Sequence, residues 1–364
     1  MKIKEITRHL ESFAPPVYQE SYDNSRLLTG QLEANLTGVL ITLDVIEPVI
    51  EEAIQKNCNL VVAHHPIIFK GLKSLTGKNY IERTILKAIK HDIAIYAIHT
   101  NLDNVHLGVN KKICDKIGLI NTSILSPKKD TLLKLVTFVP KKDESALLSG
   151  LHKAGAGNIG NYSDCSFVLP GTGSFRPNDQ ADPHIGKHNT LEHVQEQRVE
   201  VILPIHLKHR VLQALRDTHP YEEVAYYLSA LENDNQELGA GMIGSLPGPM
   251  DPMEFLSYLK ERMSLQCIRY TAPIHRKIKK VAVCGGSGSF LLSKALAKQA
   301  DVFVSADFKY HEFFDAEKEI MIADIGHYES EVYTKELLYE TITQKFPKFA
   351  VNLSETVTNP ISYL

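Results

Sequence analysis

At 364 residues, with 40 Lys and Arg set against 43 Asp and Glu for a formal charge of -3, the chain is long enough for two domains. It is too evenly charged to carry the field that favours nucleic acid or an acidic membrane. Five scattered cysteines without a CxxC pair argue against a disulfide framework or a thiolate zinc site and fit a reducing cytoplasm.

The N-terminus, MKIKEITRHLESFAPP, breaks its apolar residues with charge, so neither a signal-peptide core nor a membrane span is expected there or further on. GVLITLD, from Gly38 to Asp44, is a β-branched run that predicts a strand. Val49, Ile50, Ala53 and Ile54 at helical spacing predict a helix over 47–56. The alternation continues with a strand at 60–63, a helix at 81–89, a strand at 93–98 and a helix at 107–117, which implies a parallel sheet covered by helices.

After Leu125 the polar SPKKD reads as a linker, and a second unit follows. It is expected to comprise a strand at 132–139, a helix at 144–153, an irregular Gly- and Pro-rich arm, a strand at 198–203, a helix at 205–218 and a strand at 223–230. This order suggests a small ferredoxin-like α+β module. Beyond ENDNQE the α/β rhythm resumes: strands at 279–284, 302–305 and 319–325, helices at 290–299 and 332–346. The expected division is 1–127, 128–236 and 237–364, with the middle segment inserted into an α/β domain; three successive domains would fit the same pattern.

Three polar motifs follow predicted strands. HHPIIFKG places His64 and His65 where the chain leaves the strand at 60–63, so their rings can splay toward two neighbouring points. HTNLD brings His99 and Asp103 to the end of the next strand, and GHYESE sets His327 and Glu331 four residues apart, on one side of an opening helical turn. Taken singly, each reads as a turn or a helix cap. Taken together, they share one address, because open α/β sheets bind ligands outside the carboxyl ends of their strands. Three imidazoles and two carboxylates suit zinc, iron, manganese or nickel. If Glu331 bridges a pair of ions, with His64 and Asp103 on one and His65 and His327 on the other, open positions remain for water or substrate.

With these motifs in view, the chain resembles the Nif-three-like family, many of whose members carry the label GTP cyclohydrolase I type 2 homologue. The resemblance runs through SYDNSRLLTG, VVAHHPIIFKG, IYAIHTNLD, GTGSFRP, HPYEEVAY, GGSGSF, SADFKYHE and DIGHYESE. It implies a two-lobed α/β domain interrupted by a smaller insertion similar to the PII and CutA fold. It also implies a hexameric ring with two divalent metal ions per subunit facing an interior cavity, held by His64, His65, Asp103, His327 and Glu331. The family's Trp-Asp-Asn-x-Gly segment stands here as Tyr22, Asp23, Asn24, Ser25 and Arg26.

Other groups read more plainly. GGSGSF, between a strand and a helix, could offer amides to a phosphate but serves equally as a tight turn. SADFKYHE sets Asp307, Lys309 and His311 after a strand; His311 is a secondary catalytic candidate, placed to assist proton transfer or orient an anion, and a supporting role for the motif as partner to a ligating histidine is the alternative. His99 and His106 read as turn residues, Glu222 and Glu223 as a structural turn, and Arg176 as a contact to a neighbouring subunit. Two functions follow. One is a cytoplasmic metal-dependent hydrolase of a nucleotide-like or phosphorylated small molecule; the other is a non-enzymatic ring-shaped metal-binding or regulatory scaffold.

Overall fold

The computed structural model describes residues 1–364 and divides into two compact units, Met1–Pro127 with Glu237–Leu364, and Lys128–Gln236. Strands are numbered in chain order. The first unit holds two sheets. One, in the order β1-β4-β3-β2-β15, is built from β1 (Leu27–Thr29), β2 (Val39–Thr42), β3 (Leu60–Ala63), β4 (Ala94–Ala97) and β15 (Val351–Leu353). All pairings are parallel except that of the short edge strand β1.

Strands β2, β3 and β4 are buried at every position, as expected of parallel strands covered on both faces. Their side chains divide by alternation. Val39, Ile41, Leu60, Val62 and Tyr96 enter one core, and Leu40, Val61, Ala63 and Ile95 enter another, under the helices Glu47–Gln55 and Tyr80–Lys90.

The second sheet runs β11-β14-β13-β12-β10-β5, with β5 (Ile120–Lys128), β10 (Asn235–Met250), β11 (Arg269–Tyr270), β12 (Ile278–Ser287), β13 (Val302–Ala306) and β14 (Met321–Asp324). Here β12, β13 and β14 are parallel, flanked by antiparallel β10 and β11. Val281, Val283, Val302, Val304, Met321 and Ala323 enter the same core as Val39 and Ile41. The two sheets therefore share one apolar interior, and residues from both flanks of the insertion build it.

The other unit is a four-stranded antiparallel sheet, ordered β7-β8-β6-β9, from β6 (Leu132–Pro140), β7 (Phe167–Phe175), β8 (Glu192–Pro204) and β9 (Tyr226–Leu231). The helices Glu144–Lys153 and Lys208–Thr218 bury Leu147, Leu151, Val211 and Leu215 against Leu135, Val139, Val199 and Val201.

Several expectations need correction. The SPKKD linker is half strand, since β5 continues through Lys128. The Gly-rich arm is not irregular throughout: its first part is β7, paired along its whole length with β8. A Cβ at Gly173 would meet the Glu196 carboxylate at 2.1 Å, so the glycine suits the strand pairing instead of breaking it. The same reason hid β10 within ELGAGMIGSLPGPM, where Cβ atoms at Gly239 and Gly244 would press on Ser126 and Thr122 of β5 at 2.2 and 2.9 Å.

One buried carboxylate fastens the segment after β15. Glu52 accepts hydrogen bonds from Ser354 Oγ at 2.6 Å, from the Glu355 amide at 2.9 Å and from Thr356 Oγ1 at 2.7 Å. Burial alone would raise its pKa, but these donors and Lys56 hold it at about 2. A carboxyl group depressed from 4.5 stabilises the fold above that value and loses its contribution as pH falls toward 2. Acidification is therefore expected to lower the thermal midpoint less in Glu52→Gln than in the wild type. Thermal scans at about pH 5 and about pH 2.5 check this, and equal losses in the two proteins would contradict it.

Candidate metal centre

The carboxyl ends of β3, β4 and β14 deliver the polar residues. His64 and His65 follow β3 directly; Asp103 lies on the short helix Thr100–Asn104 after β4; His327 and Glu331 open and close the helix His327–Glu331 after β14. The structure brings these five together. His65 Nε2 and His327 Nε2 stand 3.0 and 3.1 Å from Glu331 Oε2 and 3.3 Å from each other. On the other side, His64 Nε2 lies 3.5 Å from Asp103 Oδ1 and 3.9 Å from Glu331 Oε1.

These separations can be set against metal chemistry. Two ligand atoms each about 2.1 Å from one ion stand about 3.0 Å apart at an octahedral angle and about 3.4 Å apart at a tetrahedral one. Most of the observed distances fall in or beside that interval. A second observation agrees: His64 Nε2 and Asp103 Oδ1 are buried and make no hydrogen bond. Buried polar atoms without partners cost free energy, and ligation by a cation removes that cost. Three sets have ligand atoms within 4.8 Å of one another: His64 with Asp103 and Glu331, His65 with His327 and Glu331, and His64 with His65 and His99.

Each imidazole is anchored through Nδ1. His64 Nδ1 donates to the Ile98 carbonyl at 2.9 Å, His65 Nδ1 meets Asp44 Oδ1 at 2.8 Å, and His327 Nδ1 meets Asp307 Oδ2 at 2.7 Å. Such partners fix the ring and turn Nε2 toward a ligand. Asp44 is itself held by Thr358 Oγ1, which donates to Oδ2 at 2.6 Å. Asp307 has a left-handed backbone, φ +59, a conformation aspartate adopts more readily than most residues and one often found where geometry matters.

The electrostatics follow from crowding. Burial alone would lower the His65 pKa, but Asp44 and Glu331 hold it at about 10. His327, opposed by burial and supported by Glu331 and Asp307, sits at about 9. Burial pushes the Asp103 carboxyl up and the neighbouring Glu331 charge adds to it, whereas Glu331, despite burial, is held ionised by three histidines. The cluster is a negative centre ringed by donors that favour positive charge, and a divalent ion would serve it as protons do.

Two glycines make room. A Cβ on Gly286, which has φ +58, would meet Glu331 Oε1 at 2.4 Å and His327 Cε1 at 3.2 Å. The amides of Gly285 and Gly286 donate to Asn110 Oδ1 and Ser330 Oγ, each at 2.9 Å. GGSGSF therefore begins inside β12, its first two amides are spent, and the phosphate-turn expectation gives way to clearance for Glu331.

His311 is not gathered with the five. It is exposed on the turn Tyr310–Ala316, its ring contacts are Tyr310 and Phe314, and no hydrogen bond or ion pair joins it to the cluster. Its neighbour Asp307 reaches the site instead. His99, read as a turn residue, lies 5.2 Å ring to ring from both His64 and His65. Asp307 thus fills the supporting role that SADFKYHE suggests, a carboxylate partner for a ligating histidine, whereas Asp44 was missed although it too follows a strand end.

Comparison with known proteins agrees over the whole chain. A family profile described as Duf34/NIF3 (NGG1p interacting factor 3) matches residues 1–360. The chain is 39% identical over 371 residues to a Bacillus subtilis protein named GTP cyclohydrolase 1 type 2 homolog, covering 99% of this chain and 98% of that one. A Halalkalibacterium halodurans protein of the same name is also 39% identical, with 99% and 98% covered. Among solved structures, a Bacillus cereus protein related to NIF3 superposes with a TM-score of 0.88 at 37% identity, covering 100% of this chain and 99% of that one.

Proposed function

The chain belongs to the Duf34/NIF3 family, and from that premise we propose that its cluster holds a pair of divalent metal ions. His64 and Asp103 take one ion, His65 and His327 the other, and Glu331 spans both. The observation that carries this reading is the division of Glu331: Oε2 faces His65 and His327 at 3.0 and 3.1 Å, while Oε1 faces His64 at 3.9 Å. Nitrogen and oxygen donors without thiolate suit zinc, iron, manganese or nickel.

A bound ion pair would lower the pKa of water and polarise an electrophile, the chemistry of metal-dependent hydrolysis. The protein's own residues orient and exclude: Asp44 and Asp307 fix two rings, and the buried Glu331 keeps its charge. Few protein donors per ion leave coordination positions for a substrate. The proposed substrate class is a nucleotide-like or phosphorylated small molecule, in keeping with the GTP cyclohydrolase name its relatives carry. A fold alone hosts many reactions, so the site has to decide. One observation favours a second reading, a ring-shaped metal-binding scaffold: His311, the expected acid-base group, lies outside the cluster.

The same proposal takes in the assembly and the insertion. The strand order β7-β8-β6-β9 in a β-α-β-β-α-β chain supports a ferredoxin-like reading of residues 128–236, of the PII/CutA-like kind. The protein is proposed to act in the cytoplasm as a homohexamer; no helix is long and apolar enough to cross a membrane.

Full-length protein loaded with one metal at a time, and assayed against a panel of nucleotides and phosphoesters, tests the reading. The expected result is about two ions per chain and turnover of at least one substrate. Binding of a single ion per chain would remove the paired centre. Tight paired binding with no turnover across the panel would replace the hydrolase by the scaffold.

A further inference from the structure

Beside the ligand cluster stands a wall of three rings to which the metal reading gives no task. Tyr22 and Phe69 lie 6.2 Å apart at 40°, Phe69 meets His99 edge-on at 6.4 Å, and His99 adjoins His64 and His65. Tyr22 is 64% exposed and Phe69 45% exposed. Single exposed aromatics are ordinary, but these two adjoin each other and the cluster.

Their mounting is rigid. The Asp23 side chain is fully buried and accepts from His99 Nδ1 at 2.9 Å, Ser25 Oγ at 2.8 Å and the Thr100 amide at 3.0 Å. Asn24 Nδ2 donates to the Ile68 carbonyl at 2.7 Å, tying the loop that carries Tyr22 to the loop that carries Phe69. Burial and the carboxylates of Glu20, Asp103 and Asp23 raise the Tyr22 phenol pKa, so the exposed ring stands in the field of a cluster carboxylate. Two aromatic faces are thus held in solvent by a buried polar network, at the edge of a cluster that would suit anionic oxygen once it holds metal.

We propose that Tyr22 and Phe69 form a stacking subsite for the base of a nucleotide whose phosphate end turns toward the cluster. The proposal rests on the metal reading. Flat aromatic faces recognise a heterocycle with little regard to its substituents. A phosphorylated sugar without a base has no π-face to stack on them and can offer only its weaker C–H contacts.

The probe is 2-aminopurine riboside 5′-monophosphate, whose fluorescence is quenched on stacking, added to the metal-loaded full chain. The protein has no tryptophan, so the probe can be excited without that background. Saturable quenching is expected. Tyr22→Ala and Phe69→Ala should each weaken binding by about fivefold or more, with affinity kept in Tyr22→Phe. Ribose 5-phosphate should compete at least about tenfold more weakly than the nucleotide.

Unchanged affinity in both alanine variants overturns the subsite, as does ribose 5-phosphate competing equally well. A change of assembly mass at unchanged affinity also overturns it, since the rings would then be a subunit contact. Metal content measured on each protein separates the two readings. Full metal without quenching removes the subsite and leaves the metal pair, whereas a wild type that takes up no metal removes the pair whatever the quenching shows.

Discussion

Replacing Glu331 by Ala is expected to abolish paired metal binding and, with it, any turnover. Its two oxygens face different histidines, so truncation removes a donor from both sets at once. Loss of a partner merely supporting a ligand typically costs about 10–100-fold in affinity, and loss of the shared ligand should exceed that. A second effect is readable without metal. Glu331 helps hold His65 at about 10 and His327 at about 9, so in the variant both should lose their protons at lower pH. Ring resonances of the chelated proteins followed against pH would show it. Glu331→Gln, which keeps the shape, guards against a folding artefact. Two ions still bound to a folded Glu331→Gln protein, at wild-type affinity, would sink the bridging role.

Gly286→Ala should be almost as damaging from the other side of the same carboxylate. The backbone there has φ +58, which disfavours any side chain by about 1–2 kcal/mol. The new methyl would sit 2.4 Å from Glu331 Oε1, and Glu331 is only 3% exposed, so the carboxylate has little room to retreat. Overpacking a filled interior adds about 1–3 kcal/mol. The expected result is a loss of about 2–5 kcal/mol in stability together with weaker metal binding. Denaturant titration and metal analysis measure the two losses. Gly71→Ala is the control, because nothing lies within 4 Å of a Cβ there. A Gly286→Ala protein as stable as this control, with full metal affinity, would show that the close approach is of no consequence.

Much of the frame is legible in the sequence because parallel strands buried on both faces are unbroken aliphatic runs. VLIT, LVVA and AIYA can be seen without any knowledge of their partners. From those runs, the rule that ligands gather beyond carboxyl ends gives His64, His65, Asp103, His327 and Glu331 a common address, which they share with other polar residues such as His99. The structure gathers all five. What stays hidden is what depends on contact across the chain. β10 and β7 carry glycines whose purpose appears only once β5 and Glu196 are beside them. β1, β11 and β15 are two or three residues long, too short to show a period.

The site shows the same division. Asp44 looks like an ordinary strand-end aspartate until His65 is found against it, whereas Asp307 stands in a motif already suited to supporting a ligating histidine. His311 stood out because histidine is a common acid-base residue, yet its turn faces solvent, and the useful residue of SADFKYHE is the aspartate four places earlier. GGSGSF suggested phosphate by composition; Glu331, 45 residues beyond Gly286, explains it by exclusion.

The distance along the chain between His65 and Glu331, 266 positions, also sets a schedule. At a synthesis rate of about 5–20 residues per second, the two histidines that follow β3 leave the ribosome roughly 15–50 s before the carboxylate that meets them. Throughout that interval the first sheet lacks β15, and the second lacks every strand except β5 until the inserted unit has been made. Nascent chains can therefore hold no finished centre, however much metal the cell contains. A ribosome stalled before residue 327 would carry His64, His65 and the inserted unit without His327 and Glu331, so the cluster, and the metal binding proposed for it, can be completed only at the end of synthesis.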